Sequence, residues 1–320
     1  MEIMDIVVCT DKWFVMPTGV MMYSVCVNNP DVDINFHVIV DDNVTSEDQH
    51  DLEDVVKSFN NKSACFYSFN DVYDDAFPSG RDLYYITKTT YFRLFIDVLL
   101  PSNIEKVLYL DGDIIVRHSL LPLWEVDLGN HAIAAVIDGM EGNAEFYDRL
   151  KYPPYLGYFN AGMLLINLKY WRNNHVIKEF RQYMENHSDS IMYHDQDVLN
   201  VTFREKKLQL PIKYNMQHVF LTKAPLYDYL KYEQEVLDAR QDPIIIHFTG
   251  PYKPWDKYQR CPHPFRSTFY KYQNQTKWKG VKYEHRPLKM RLVNFIADTL
   301  RMLKLKSPWE YAYIDIAPVD

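Results

Sequence analysis

The strongest constraint in this sequence is a repeated pattern: a short β-branched apolar run, an acid at its end, then apolar residues at helical spacing. MDIVVCT at 4–10 ends at Asp11 and leads into PTGVMMYSVCVNN. INFHVIV at 34–40 ends at Asp41-Asp42 and leads into TSEDQHDLEDVVKSFN, where a Thr/Ser cap, early acids and an apolar face at Leu52, Val55, Val56 and Phe59 mark a helix. SACFYSF at 63–69 reads as a third strand, TKTTYFRLFIDVLLP as a helix halted before Pro101, and KVLYL as a fourth strand. Strands alternating with helices predict an α/β fold with a single mostly parallel sheet flanked by helices. Ligands of such sheets collect at the carboxyl ends of the strands.

A chain of 320 residues, 47% of them hydrophobic, can bury a large core. We expect one catalytic domain over residues 4–260, followed by a small helical basic C-terminal appendage over residues 261–320. The division follows charge. Residues 260–306 carry 12 Lys plus Arg against 2 acids, so a whole-chain value of −8 leaves −18 on the remainder. An acidic body argues against a nucleic-acid groove. Cys9, Cys26, Cys65 and Cys261 lie far apart without C-x-x-C spacing and read as buried, reduced thiols. The first residues, MEIMDIVVCTD, lack the basic-then-apolar pattern of a signal peptide, and no run reaches the length of a membrane span. A cytoplasmic protein is the expectation.

VLYLDGDIIV at 107–116 interrupts an apolar run with two carboxylates, Asp111 and Asp113. Burying two such charges costs several kcal/mol unless something positive meets them. If the backbone stays extended, both point to one face at the end of the fourth strand. A divalent cation would relieve their repulsion, and Gly112 would leave room for a ligand. A bare D-G-D is equally what a turn between strands looks like. In GYFNAGMLLINLKYW, Asn160 stands at a strand entrance with Ala161 and Gly162 leaving space beside it. In HDQDVLN, Asp195, Gln196 and Asp197 open a helix, for which first-turn acids need no chemistry. IIIHFTGPYKPW brings His247 to a strand end, with Gly250 and Lys253 behind it. An imidazole that suits Mn²⁺, a glycine allowing close approach and a mobile cation suited to phosphate could together hold a metal diphosphate.

These stretches carry a family resemblance. IVVCTD, TTYFRLF, KVLYLDGDIIV, YFNAGMLLINL, HDQDVLN, LPIKYN and HFTGPYKPW run in the order seen in glycosyltransferase family 8, and cover roughly Met4 to Trp255. The family includes glycogenin and the transferases that extend bacterial surface glycans, and the chain most resembles its lipo-oligosaccharide α-galactosyltransferase type. The resemblance implies a glycosyltransferase A fold and a retaining hexosyltransferase that moves galactose or glucose from a UDP-sugar to a glycan, glycolipid or glycoprotein acceptor. It implies that Asp111, Asp113 and His247 hold Mn²⁺, with Mg²⁺ as an alternative. It places Gly250 and Lys253 at the diphosphate and Asp11 at the uracil, where Phe14 could stack, with Thr10 among the donor-binding residues. Arg93, Gly112, Asn160 and Ala161 fall at the donor, and Asp195 with Gln196 faces the sugar as the catalytic pair. Relatives carry D-D-N-Y where this chain has Asp11-Lys12-Trp13-Phe14, so tryptophan replaces an asparagine of the nucleotide site.

Retention needs either a nucleophile on the far face of the sugar, for which Asp195 or Asp197 are candidates, or attack from the face of departure. The neutral amide of Gln196 favours the second. PLKMRLVNFIADTLRMLKLK at 287–306 reads as a helix with Leu288, Leu292, Phe295, Ile296, Leu300 and Leu303 on one side. It either packs on the domain or lies on the inner face of an anionic membrane, where Trp278, Tyr283 and Trp309 would also suit. Two other readings stay open. One is a Mg²⁺-dependent phosphohydrolase of the haloacid dehalogenase type using Asp111 and Asp113; the other is a non-catalytic UDP-sugar binder.

Overall fold

A computed structural model describes residues 3–69, 88–222, 230–257 and 261–283, together with positions 292, 293, 295–297, 299, 300, 303, 305, 313 and 314. The first strands follow the sequence pattern. β1 (Met4–Thr10), β2 (Ile34–Val40) and β3 (Lys62–Ser68) pair in parallel, and β4 (Lys106–Leu110) adds in parallel on the other side of β1. β5 (Ile114–Val116) leaves this sheet, while β6 (Ile133–Ile137), β7 (Phe159–Asn167) and β8 (Lys207–Gln209) complete it. The described strands form a seven-stranded sheet of order β3-β2-β1-β4-β7-β6-β8, in which β7 runs against both neighbours. A smaller sheet of order β5-β10-β9 joins β5 to β10 (Ile245–His247) and β9 (Met216–Gln217).

Alternation along the strands splits the core in two. Met4, Ile6 and Val8 face α1 (Val15–Asn28), α2 (Ser46–Lys57) and the smaller sheet, whereas Val7 and Cys9 face the layer built from residues 88–99 and 168–203. The expected cap of α2 is present as a reciprocal pair: the Thr45 hydroxyl accepts from Asp48 N at 3.2 Å, and the Asp48 carboxylate accepts from Thr45 N at 2.9 Å. The helix expected to end before Pro101 is instead a 3₁₀ segment, Lys88–Phe95, followed by one α turn, Ile96–Leu99. Thr89 and Thr90 are poor helix formers, and tertiary contacts of Arg93 decide the backbone there. Three cysteines are buried as expected, but Cys65 is exposed on the edge strand β3.

The residues after 260 join the same core. Phe265, Phe269 and Trp278 are buried with α1 and β10, and Tyr283 pairs with the backbone around Trp255. Trp278 therefore sits inside the fold and Tyr283 is half-buried against it, because the helix Arg266–Gln273 packs this segment on α1. In the basic stretch beyond, the described Leu292, Phe295, Ile296 and Leu303 are exposed at 55, 69, 55 and 61%, while Ala297 is buried. Leu288 and Trp309 lie outside the described residues. Further on, Ile314 N donates to Leu221 O at 2.8 Å and Tyr313 bridges Thr222. Among the described residues no helix is long and apolar enough to cross a membrane.

Arg172 holds the turn before β4 by donating to the carbonyls of Asp97, Leu100, Pro101, Ser102 and Ile104. Beside it Asp97 is buried, with Oδ1 lacking a hydrogen-bond partner among the described residues. Burial, partly offset by Arg172, pushes its carboxyl up to about 6. A carboxyl that holds its proton more tightly folded than unfolded weakens the native state once ionised, a loss absent below about pH 4 and complete by about pH 7. We expect Asp97→Asn to raise stability at pH 7.5 by on the order of 1–3 kcal/mol and to leave it unchanged at pH 4. Denaturant melts at the two pH values check this, and an equal gain at both would rule out the titration.

Candidate active site

The carboxyl ends of β1 and β4 and the start of β7 border a cavity of about 750 Å³. D-G-D does not continue β4 as an extended strand: residues 112–113 turn, and the chain crosses into the smaller sheet. Asp111 N still pairs with Gly162 O at 2.8 Å, which ends β4 against β7, while β5 is claimed by β10. The turn nevertheless brings the two acids together, because β10 carries His247 up between them. His247 Nε2 lies 3.1 Å from Asp113 Oδ1 and 3.7 Å from Asp111 Oδ2. One ligand atom from each of the three falls within 4.8 Å of the others.

The surroundings fit a divalent cation. Asn215 Nδ2 donates to Asn160 Oδ1 at 2.9 Å, so the Asn215 oxygen, 2.9 Å from His247 Nδ1, acts as acceptor and fixes the hydrogen there. In the neutral ring Nε2 then turns a lone pair toward two carboxylates, the pattern of an oriented metal-ligating histidine. Burial raises the Asp113 carboxyl, but the Lys253 ammonium at 2.6 Å outweighs it and holds it well below the usual carboxylate range. Lys253 also donates to Phe248 O. Gly162 is the close-packed point: a Cβ there would lie 2.1 Å from His247 Cε1 and 2.7 Å from Asp111 Oδ2.

A second group adjoins the first. Arg93 is buried over the Tyr109 ring, and its guanidinium donates to Asp111 Oδ1 at 2.8 Å and Ala161 O at 2.7 Å, and pairs with Asp195 at 2.9 Å. Burial pushes the Asp195 carboxyl up to about 7 in spite of Arg93. Gln196 Oε1 accepts from Ala161 N at 2.9 Å and from Asn160 Nδ2 at 3.3 Å, while its Nε2 donates to Asp138 Oδ2 at 3.2 Å. Asp138 also accepts from Asn160 and from Met140 N, and burial raises its carboxyl against those donors. Asp197 points away, accepting twice from Arg149 and once each from Tyr158, Met192 N and Tyr193 N. With its lone pairs taken, it fixes the start of the helix and is removed as a nucleophile candidate.

At the other end of the cavity Asp11 Oδ1 accepts from Trp13 N at 2.9 Å and Phe14 N at 3.0 Å, a tight local turn. Phe14 stands edge-on to Trp255 at 5.9 Å, and Trp13 is 54% exposed. Gly112 and Gly250 line the cavity as well, Gly250 at φ +81°. Thr10 does not: strand alternation sends Cys9 and Asp11 to the cavity, and the Thr10 hydroxyl into a buried bond with Thr18 at 3.1 Å. Sequence reasoning missed Asp138 and gave no role to Asn215. Asp138 repeats the signal of an acid ending an apolar strand, IAAVI; Asn215 offers no local signal.

A mostly parallel sheet carrying an acid–acid–imidazole group at its carboxyl edge is the layout of a glycosyltransferase. The profile of glycosyl transferase family 8 matches residues 5–259. Over 259 residues the chain is 30% identical to the lipopolysaccharide 1,3-galactosyltransferase of Salmonella typhimurium, covering 79% of this chain and 73% of that one. It is 27% identical to general stress protein A of Bacillus subtilis, covering 88% and 96%. The solved structure of galactosyltransferase LgtC with donor and acceptor sugar analogues superposes with a TM-score of 0.76 at 28% identity, over 90% of this chain and 99% of that one. The chain belongs to glycosyl transferase family 8 and is an enzyme of the glycosyltransferase A fold. The phosphohydrolase and the non-catalytic binder are set aside by that membership.

Gly162→Ala is expected to weaken divalent-cation binding at least tenfold by driving His247 from Asp111, with little change in fold. Isothermal titration with Mn²⁺ checks it, and wild-type affinity in a folded variant would contradict the packing argument.

Proposed function

We propose that the enzyme is a retaining hexosyltransferase that takes galactose or glucose from a UDP-sugar and needs Mn²⁺. The observation that carries this is the convergence of Asp111, Asp113 and His247 beside Lys253. In this reading these three would hold the cation, which would supply charge neutralisation for the departing diphosphate. Lys253 and the Gly250 backbone meet the phosphates, Asp11 and Phe14 meet the uracil, and Arg93, Gly112, Asn160 and Ala161 line the donor. Phe14 can stack on a pyrimidine as a tyrosine would.

The anomeric C–O bond breaks with its electron pair going to UDP, leaving an oxocarbenium-like sugar. The acceptor oxygen then bonds the same carbon from the same face, and its proton passes to the leaving phosphate oxygen. Gln196 supports this route. Its amide is held by Asp138, Asn160 and Ala161 N, and a neutral amide is a poor nucleophile. Asp195 is tied to Arg93 and positions it.

The named lipopolysaccharide transferases among the relatives support an acceptor in a bacterial surface glycan, with glycolipid or glycoprotein glycans in the same class. A cytoplasmic enzyme peripheral to the inner face of an anionic membrane is the matching location. The exposed Leu292, Phe295, Ile296 and Leu303 among basic residues of the 287–306 stretch support it, since a packed helix would bury that side.

UDP release with Mn²⁺ and UDP-galactose, UDP-glucose or UDP-N-acetylglucosamine tests the reaction. Asp113→Ala should lose at least a hundredfold in turnover, on the order of 3 kcal/mol. Parental turnover would remove the role given to Asp113. The double variant Phe295→Asp/Ile296→Asp should keep activity on soluble sugars yet sediment poorly with anionic liposomes, and undiminished sedimentation would dispose of the membrane reading.

A further inference from the structure

Tyr283 stands 267 residues from Met16, in the first turn of α1, and yet touches it. Its hydroxyl accepts from Met16 N at 3.2 Å, in the first turn of a helix whose N-cap, Phe14, makes no side-chain cap bond. Its ring meets Trp13 edge-on at 6.4 Å and 82°. Its backbone runs beside the loop that follows β10: Tyr283 N donates to Trp255 O at 2.8 Å, Lys257 N donates to Tyr283 O at 3.1 Å, and the residue bridges Asp256 in parallel.

Those contacts join two separate walls of the cavity. The first is the turn Asp11–Phe14, whose amides close on the Asp11 carboxylate. The second is the loop 250–256, which delivers Lys253 to Asp113 and Trp255 to Phe14. Neither wall is part of a sheet where it lines the cavity. Tyr283 is one residue that bonds both, and two neighbours help it: Tyr270 OH donates to Pro254 O at 2.9 Å, and Trp255 packs on Phe269. The segment 261–283 thus sets the distance between the base end and the phosphate end of the cleft.

We infer that Tyr283 is a positioning residue for the donor, holding the Asp11–Phe14 turn and the Lys253 loop at the separation a nucleoside diphosphate spans. This rests on the UDP-sugar reading above. Tyr283 touches neither the metal-holding trio nor the Asp195–Gln196 pair, so its removal acts on donor binding rather than on bond breaking. Gross loosening of the fold would instead move turnover and both Michaelis constants together.

The experiment uses the full chain with Mn²⁺ and compares wild type, Tyr283→Phe and Tyr283→Ala. UDP affinity is read by isothermal titration, and donor KM, acceptor KM and kcat by UDP release. Tyr283→Ala is expected to weaken UDP binding and raise donor KM about tenfold, with kcat and acceptor KM within about twofold of wild type. Tyr283→Phe, which loses only the bond to Met16 N, is expected to shift UDP affinity about two- to threefold. A folded alanine variant that binds UDP like wild type overturns the inference, as does one in which all three kinetic constants move together. Should the alanine variant fail to fold, the phenylalanine variant decides: unchanged UDP affinity overturns the proposal. Wild type that binds no UDP at all sinks the donor reading itself, and this inference with it.

Discussion

Two carboxylates and an imidazole lone pair converge on one point, and the fold is arranged to tolerate that. Each acceptor atom alone would be costly to bury, and together they repel. Lys253 and Arg93 answer from opposite sides, one on Asp113 and the other on Asp111. Asn215 fixes the ring from behind, and Gly162 supplies the space in which the three approach. A divalent cation would satisfy all three at once, and the surrounding groups already hold them in place to receive one.

The two halves of the cavity are mechanically continuous. From His247 the hydrogen bonds run to Asn215, to Asn160, and then to Gln196 and Asp138. The Asp–Asp–His group and the Asn160–Gln196–Asp138 group therefore share one polar chain, in which each amide orientation is set by its neighbours. Arg93 repeats the connection on the other side, joining Asp111 to Asp195. Such a network keeps reacting groups in place without movement at the moment of bond breaking.

Much of this was legible in the amino-acid order. β1, β2 and β4 announce themselves because buried parallel strands are continuous β-branched runs, and the acids that end them mark the carboxyl edge. Asp111, His247 and Lys253 could be found because each ends or follows such a run. What could not be read is pairing at long range. Nothing near D-G-D says that β5 will desert β4 for β10, since that depends on Ile245 and Ile246, some 130 residues on. Asn215 and Tyr283 owe their places to tertiary contacts alone, and Thr10 was misplaced only because alternation at a strand end decides which of two neighbours looks outward.

β7 is the one strand of the described large sheet that runs against both its neighbours, and so its first residues, Asn160 to Gly162, arrive at the reactive edge while its last depart from it. The short helix that follows at once, Leu168–Asn173, lies at the opposite rim, where Lys169 N donates to Glu105 O and Arg172 holds the turn before β4. Among the described residues that rim contributes none to the lining of the cavity, so a change in its exposed connections can reach the site only through the sheet between them.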